Sequence, residues 1–231
     1  MQAYAVIGLG QLGAAVARYL AERGCDVIAI DRDMGRVEAL KDCVARALCM
    51  DATNENALRE AGVVECSAVV LALGEDQLEE AVLTTMLLRH LGVGHITSRA
   101  ATDVQGMVLE RLGVSRVVFP ERNIGEQIAR QIMSPGVQEL LPLGEGAAVG
   151  EVAVSESFWG RTLAELQLRR EFGLNVVAIK RLVEGVSDSG ELEERWEVDN
   201  GPGPDSRLGK GDLLVVVGPD DLIAKFAARA S

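Results

Sequence analysis

The chain has 231 residues, and 48% of them are hydrophobic, which is enough for one large domain or two modest ones. The formal net charge is −12, and this argues against a nucleic-acid partner because such a partner requires a basic surface. The longest apolar stretches have the length of strands, so no transmembrane segment or signal peptide is predicted. We therefore expect a soluble cytoplasmic protein.

The four cysteines form no Cys-x-x-Cys pair. Because Cys25, Cys43, Cys49 and Cys66 lie in or beside apolar segments, we expect buried, reduced thiols and no metal site. The aromatic content of 3% disfavours a stacking surface for single-stranded nucleic acid.

The first thirty residues contain the pattern of a dinucleotide-binding unit. An apolar strand over residues 3–7 leads into Gly8-x-Gly10-x-x-Gly13, and an amphipathic helix follows. In that order, the glycines allow a tight turn, close approach of a phosphate, and packing of the helix against the strand. A second strand ends at Asp31, whose carboxylate is expected to accept hydrogen bonds from a ribose. The pattern predicts nucleotide binding, although a degenerate unit could keep its glycines for packing alone.

Strand and helix patterns alternate over the first 133 residues. This order predicts a Rossmann-like α/β fold, a doubly wound parallel sheet with its ligand at the carboxyl ends of the strands. The predicted strands cover residues 3–7, 27–30, 47–50, 68–73, 95–99 and 116–119, and a further helix covers residues 122–133. The sequence Ser134-Pro135-Gly136 then marks a boundary.

The second half has a different pattern and predicts a small α+β domain. Its predicted strands cover residues 148–154, 175–181 and 212–217, its helices cover 162–168 and 219–228, and residues 184–208 form a polar hairpin or loop. We therefore expect a nucleotide-binding domain over residues 1–134, a linker over 135–147, and a sensory or dimerisation domain over 148–231.

The residues of a reaction centre are missing from the sequence. Of the two histidines, His90 lies near a helix end and His95 at a strand start, away from the ends of the strands where a ligand would bind. Neither Tyr4 nor Tyr19 is followed four residues later by lysine, so the short-chain dehydrogenase pair is missing. Acidic residues on the predicted helices, Glu80 among them, are interpreted as solvated. We expect no enzymatic activity.

Polar groups at the strand ends are the candidates for holding a nucleotide. Helix capping is the alternative role for Asp51 and Thr53, and stabilisation of a helix dipole is the alternative for Glu121. The candidates are Asp51, Ala52 and Thr53 after the third strand, Leu73 and Gly74 after the fourth, Arg99 at the end of the fifth, Glu121 after the sixth, and Gln11, Leu12 and Arg32 beside the glycine motif and Asp31.

Motifs along nearly the whole chain resemble those of one known family. They are A-V-I-G-L-G-Q-L-G at 5–13, D-A-T at 51–53, V-V-L-A-L-G at 69–74, L-T-T-M-L-L-R at 83–89, F-P-E-R-N-I-G at 119–125, G-R-T-L-A-E-L at 160–166, F-G-L-N-V-V-A-I-K-R at 172–181 and G-D-L-L-V-V-V-G at 211–218. The chain is similar to the regulatory subunits of Trk/Ktr-type potassium uptake systems, which are built from the two halves of the RCK (KTN) domain.

The resemblance implies a regulator rather than an enzyme. Members of the family form dimers that assemble into octameric rings beneath a membrane subunit that translocates potassium, so the protein would be cytoplasmic and peripheral to the inner face of the membrane. Nucleotide in the first domain, NAD(H) or ADP/ATP, changes the shape of the ring. The helix over residues 122–133 resembles the crossover that is exchanged between protomers.

The resemblance also implies roles for individual residues. The positions that line the nucleotide match Gly8, Gly10, Gly13, Asp31, Asp51, Thr53, Gly74 and Arg99, and the position of Glu121 can hold a cation near the phosphates. Some members bind cyclic di-AMP in the second domain through residues that match Arg169, Asn175 and Val176. Relatives that distinguish ATP from ADP carry arginine where this chain has Gln11, so NAD(H) or ADP becomes the more credible ligand. Two alternatives remain open, a small NAD(P)-dependent oxidoreductase and a free-standing nucleotide sensor.

Overall fold

The computed structural model describes residues 2–133, 136–144, 146–186 and 192–230. These residues divide into two compact units, one ending at Asn123 and the other beginning at Ile124. Among the residues described, no helix combines the length and the apolar character that crossing a membrane requires.

The first unit is built on a parallel sheet of six strands. They are β1 (Ala3–Ile7), β2 (Asp26–Asp31), β3 (Arg46–Cys49), β4 (Ala68–Leu71), β5 (Ile96–Arg99) and β6 (Arg116–Val118). Their order across the sheet is β3-β2-β1-β4-β5-β6, and every adjacent pair is parallel. Strand order therefore reverses between β1 and β4, and a ligand crevice forms at the carboxyl ends of strands at such a point.

Helices connect these strands. They are α1 (Gln11–Glu22), α2 (Met34–Glu38), α3 (Glu55–Glu60), α4 (Leu78–His90) and α5 (Asp103–Arg111). A sixth helix, α6 (Pro120–Met133), begins in the first unit and continues into the second. Three of these helices have a capping side chain at the amino end. Asp33 caps α2, Asn54 caps α3 and Thr102 caps α5, and each side chain accepts a hydrogen bond from a backbone N–H in the first turn.

Apolar residues are buried on both faces of the parallel sheet. Ile7, Ile30 and Leu71 belong to one cluster, whereas Val6 and Ala29 belong to the other. Because successive residues of a strand point to opposite faces, adjacent apolar residues such as Val6 and Ile7 serve both cores. The predicted doubly wound α/β fold is confirmed.

The second unit contains an antiparallel sheet of five strands. They are β7 (Val137–Gly144), β8 (Ala147–Ala153), β9 (Asn175–Val186), β10 (Leu192–Asp199) and β11 (Leu213–Pro219), in the order β10-β9-β11-β8-β7. Its helices are α7 (Leu163–Leu166), α8 (Leu168–Phe172) and α9 (Asp220–Ala230). Ile223 and Phe226 of α9 are fully buried in the core of this unit, which confirms the predicted α+β architecture.

Several predicted boundaries in this part of the chain need correction. The predicted linker over residues 135–147 contains strand β7, because Val137 is buried and Leu140 packs against the core. Residues 184–208 were predicted to form a hairpin or a loop. Strand β10 lies within this segment and pairs antiparallel with β9, so the segment contains a hairpin. Residues 187–191 lie outside the described residues. The single helix predicted over residues 162–168 is two helices, since Gln167 adopts a left-handed conformation with φ 46° between them.

The division between the compact units comes earlier than the predicted residue 134. No residue of α6 is buried, so this helix takes no part in the core of the first unit. The prediction of buried thiols is wrong for two cysteines, because Cys43 and Cys49 are exposed while Cys66 is buried. Cys49 belongs to β3, a strand at the edge of the sheet, where neighbouring strands cover only one side.

Candidate functional site

The turn between β1 and α1 depends on its glycines. Gly8 has φ 90°, and a Cβ atom there would lie 2.8 Å from the carbonyl oxygen of Ala72. A Cβ atom on Gly13 would lie 1.8 Å from the carbonyl oxygen of Gly8, so only glycine lets the helix approach the turn. Gly10, by contrast, has open space where a side chain would be. Gly8 and Gly13 therefore shape the turn, and Gly10 leaves the amino end of α1 free of side-chain atoms.

Asp31, at the end of β2, is tied to this turn. Its carboxylate is only 7% exposed and accepts the N–H of Leu9 at 2.7 Å and the N–H of Asp33 at 2.9 Å. The Arg36 guanidinium approaches the same carboxylate at 3.4 Å. Charged acceptors form stronger hydrogen bonds to backbone amides than neutral ones do. The residue predicted to receive a ribose thus also holds the glycine turn against the end of β2.

A cleft of about 590 Å³ opens at the reversal of strand order. It brings together nine of the predicted residues: Gly8, Gly10, Gln11, Leu12, Asp31, Arg32, Gly74, Arg99 and Glu121. Gly13 packs against Gly8 instead. The cleft also has six lining residues that were not predicted as site residues from the sequence, namely Asp33, Arg36, Ala72, Asp76, Gln77 and Glu80.

A smaller inner pocket adjoins this cleft and holds the other predicted residues. Asp51, Ala52, Thr53 and Leu73 line it, and its free volume is about 30 Å³. Asp51 accepts hydrogen bonds from the N–H of Thr53 at 2.8 Å and from its hydroxyl at 2.7 Å, and these bonds lower the pKa of the Asp51 carboxyl. Helix α3 is capped by Asn54, so capping does not explain the presence of Asp51 and Thr53.

Arg99 and Glu121 meet at the opposite side of the cleft. The Nη2 of Arg99 lies 2.6 Å from the Glu121 carboxylate, and its Nη1 donates to the carbonyl of Leu73 at 3.2 Å. The pKa of Glu121 is lowered, chiefly by its own backbone N–H in the first turn of α6 and further by Arg99. An anion that binds Arg99 therefore competes with Glu121, or reaches the pair together with a cation.

The head of α4 contributes two residues that sequence reasoning missed. The side-chain oxygen of Gln77 accepts the N–H of Gly74 at 2.9 Å, and its amide group donates to Glu80 at 2.6 Å. Glu80 in turn forms an ion pair with Arg32. Glu80, interpreted from the sequence as a solvated residue, is half-buried and paired with Arg32. Because α4 follows the carboxyl end of β4, its first turn faces the crevice, and that position in the fold was the available signal.

The charge of the cleft limits what it can hold. Five carboxylates line it, on Asp31, Asp33, Asp76, Glu80 and Glu121, against three guanidinium groups on Arg32, Arg36 and Arg99. Such a lining favours ligands of low net negative charge, and a cation that accompanies a triphosphate would offset its greater charge. Among the described residues, no cluster of histidine, cysteine, aspartate and glutamate side chains has the arrangement of a metal site.

The second unit has a separate cleft of about 740 Å³. It brings together Arg169, Asn175 and Val176, the three residues singled out in this part of the sequence. Leu168 and Pro204 contribute apolar surface beside them. A guanidinium group next to apolar walls can bind an anionic ligand that carries a flat ring.

Two family models match the chain. Residues 4–120 match the TrkA-N domain, and residues 149–231 match the TrkA-C domain. The first match covers nearly all of the first compact unit, and the second covers the part of the second unit from residue 149 onwards.

Individual proteins show the same similarity. The chain is 33% identical to the Ktr system potassium uptake protein C of Bacillus subtilis (strain 168) over 98% of this chain and 96% of that protein. It is 32% identical to the Ktr system potassium uptake protein A of Vibrio alginolyticus over 96% of this chain and 94% of that one. A solved structure of the GsuK channel bound to NAD superimposes with a TM-score of 0.52 at 25% identity; the match covers all of this chain and 38% of the channel chain.

The resemblance drawn from the sequence motifs is confirmed by these matches. The similarity to the Ktr proteins extends over both units, whereas the chain spans about two fifths of the channel that it resembles. The chain belongs to the family of TrkA-N/TrkA-C proteins that includes the Ktr potassium uptake proteins.

Proposed function

We propose that the protein is a nucleotide-binding regulatory subunit of a Trk/Ktr-type potassium uptake system and has no enzymatic activity of its own. The observation that carries this proposal is the cleft at the carboxyl ends of β1 and β4, in a chain that shares 33% identity with a Ktr protein over nearly its whole length. The glycine turn offers backbone N–H groups at the start of α1, where phosphates bind. On one side of the cleft, Asp31 supplies an acceptor for the ribose hydroxyl groups. On the other side, Arg99 supplies hydrogen-bond donors for a phosphate.

The nucleotide that fits best is NAD(H) or ADP. The lining carries more carboxylates than guanidinium groups, and Gln11 offers no charge to a third phosphate. ATP fits with a cation, for which Glu121 is the proposed ligand. A related channel, GsuK, has been solved with NAD bound, which supports the dinucleotide.

The second unit is the proposed site for a different ligand. Its cleft contains Arg169, Asn175 and Val176, which match the positions that hold cyclic di-AMP in some relatives. The Arg169 guanidinium would pair with a phosphate, and the exposed Pro204 would contact a base.

The proposed assembly is a homodimer that builds an octameric ring under the membrane subunit that translocates potassium. This assembly would make the protein cytoplasmic and peripheral to the inner face of the membrane. The helix over residues 122–133 would be the crossover between protomers. It would belong to a nucleotide-binding domain over 1–134, and a ligand-sensing domain over 148–231 would follow.

Calorimetry and a transport assay test the proposal together. NAD, NADH, ADP and ATP are titrated into the protein, and potassium uptake is measured in cells that lack their own uptake systems and co-express a Trk/Ktr-type membrane subunit. We expect binding of at least one nucleotide and uptake that depends on the regulatory chain. Uptake that is the same with and without the chain, or steady turnover of NADH with a substrate panel, would point instead to the free-standing sensor or to the oxidoreductase.

A further inference from the structure

Three side chains bridge the two compartments of the nucleotide cleft. Arg32, after β2, forms an ion pair with Glu80 of α4, and Gln77 donates to the other oxygen of Glu80 at 2.6 Å. Gln77 also accepts the N–H of Gly74, which follows β4. A continuous chain of hydrogen bonds thus runs from the end of β2 to the end of β4.

This bridge lies between a large space and a small one. Arg32, Gln77 and Glu80 line both the outer cleft of about 590 Å³ and the inner pocket of about 30 Å³. The inner pocket has room for a few water molecules and none for a purine ring. Ala52 and Thr53, two half-buried candidates for contacting the nucleoside, line this pocket together with the exposed Asp51. A nucleoside that enters the pocket to contact Ala52 and Thr53 requires the bridge to open.

We propose that Arg32, Gln77 and Glu80 form a latch over the nucleoside half of the cleft and that every adenine nucleotide binds only after the latch opens. This inference rests on the proposed nucleotide-binding function. Opening releases the Arg32 guanidinium from Glu80 and frees it for the ligand. The affinity observed is then the intrinsic affinity reduced by the fraction of molecules in which the latch is open.

The exposure of the ion pair limits the size of this effect. The side chains of Arg32 and Glu80 are 63% and 32% exposed, and pairs at such surfaces stabilise by at most ~1 kcal/mol. A latch of that strength lowers nucleotide affinity by up to about fivefold. Because the adenosine half is common to NAD, ADP and ATP, the factor is the same for all three ligands.

The test compares Glu80→Ala with Glu79→Ala by calorimetry. Glu79 is the exposed neighbour of Glu80 in the first turn of α4, so both variants remove one carboxylate from the same turn. We expect Glu80→Ala to raise the affinity for NAD, ADP and ATP by the same factor, about two- to fivefold, while Glu79→Ala leaves all three affinities unchanged. Thermal unfolding of both variants verifies that they are folded.

Each other result overturns the latch. Weaker binding by Glu80→Ala would make Glu80 a ligand contact, and unchanged binding would mean that the bridge does not control access. A gain that grows from NAD to ADP to ATP, or one that Glu79→Ala reproduces, would mean simple repulsion of the phosphates. If the wild-type protein binds none of the three, the proposed function itself fails, whereas binding that Glu80→Ala leaves unaltered removes only the latch.

Discussion

Asp31 shows how one side chain can serve the fold and the ligand together. Its carboxylate is almost completely buried and accepts two backbone N–H groups, one of them from the glycine turn. A buried amide that loses its acceptor costs about 1–3 kcal/mol. A substitution at this position therefore changes the turn as well as the proposed ribose contact, and binding must be interpreted beside stability.

The first prediction separates these two roles. Asp31→Ala should lower the free energy of unfolding by about 1–3 kcal/mol and weaken nucleotide binding tenfold or more, because both the amide of Leu9 and the ribose lose an acceptor. Denaturant unfolding and calorimetry measure the two effects. Asp26→Ala, an exposed residue at the other end of β2, is the control and should alter neither. Unchanged affinity in folded Asp31→Ala would remove this residue from the site.

The second prediction concerns Gln11, the first residue of α1 and part of the cleft lining. Glutamine offers no charge to a terminal phosphate, so we expect ADP and NAD(H) to bind within about an order of magnitude of ATP, a gap of ~1.4 kcal/mol. Gln11→Arg should widen the preference for ATP, because arginine forms charged, bidentate bonds to phosphate. Competition binding measures the ratio. A hundredfold preference of the wild-type protein for ATP would mean that Arg99, or a cation at Glu121, neutralises the third phosphate.

The turn between β1 and α1 is where the sequence motif has its clearest structural meaning. Gly13 cannot accept a Cβ atom without displacing the backbone of Gly8, whereas Gly10 has no atom within 4 Å of such a position and has an ordinary negative φ. The three glycines of one motif therefore have different roles, and substitution distinguishes them.

The third prediction uses this difference. Gly10→Ala should leave the thermal midpoint unchanged and weaken nucleotide binding, because its methyl group occupies the space in which a phosphate approaches α1. Gly13→Ala should lower the midpoint strongly or prevent folding, since the clash is with backbone. Thermal unfolding followed by circular dichroism, with calorimetry on the folded variants, provides both readouts. Full nucleotide affinity in Gly10→Ala would place the phosphates elsewhere.

The sequence predicts best the strands and helices that are marked by a run of apolar residues and by a glycine or proline at the end. Strands β1, β2 and β4 consist mainly of consecutive apolar residues, and β1 is predicted residue for residue because glycine stops it. Strand β7 was missed because Pro142 and Gly144 interrupt its apolar pattern, and only pairing with β8 makes it a strand. The cleft residues at the strand ends were predictable, since a parallel sheet brings those ends together. Gln77 and Glu80 were not, because their direction depends on how α4 packs.

At the scale of the whole molecule, an exposed apolar surface on α6 favours association with another protein chain. Ile124, Ile128 and Ile132 recur every four residues along α6 and are 57%, 50% and 74% exposed. Such spacing places them on one face of the helix. A contiguous exposed apolar surface of this kind marks an interaction site more often than a free surface. It supports the proposed multimer.

The fourth prediction is therefore a multimer in solution. Light scattering at micromolar concentration should find dimers and larger assemblies up to an octamer, and Ile128→Glu should shift the distribution towards monomer, because it places a charge in the apolar stripe. Gln127→Glu adds the same charge to the same helix beside the stripe and should leave the distribution unchanged. A monomer under all conditions, with and without nucleotide, would contradict the proposed ring.

The contact between Arg99 and Glu121 has a mechanical consequence. Glu121 is in the first turn of α6, a helix of 14 residues and therefore about 21 Å long at 1.5 Å per residue. A ligand that binds Arg99 in place of Glu121 breaks an ion pair that holds the amino end of α6. If the axis then tilts by about 6° at that end, the last turn moves by about 2 Å, which is the size of shift that repacks an interface between helices. In the proposed multimer, the geometry of α6 would therefore convert a small rearrangement of charge into a displacement large enough to repack a contact with a neighbouring protomer.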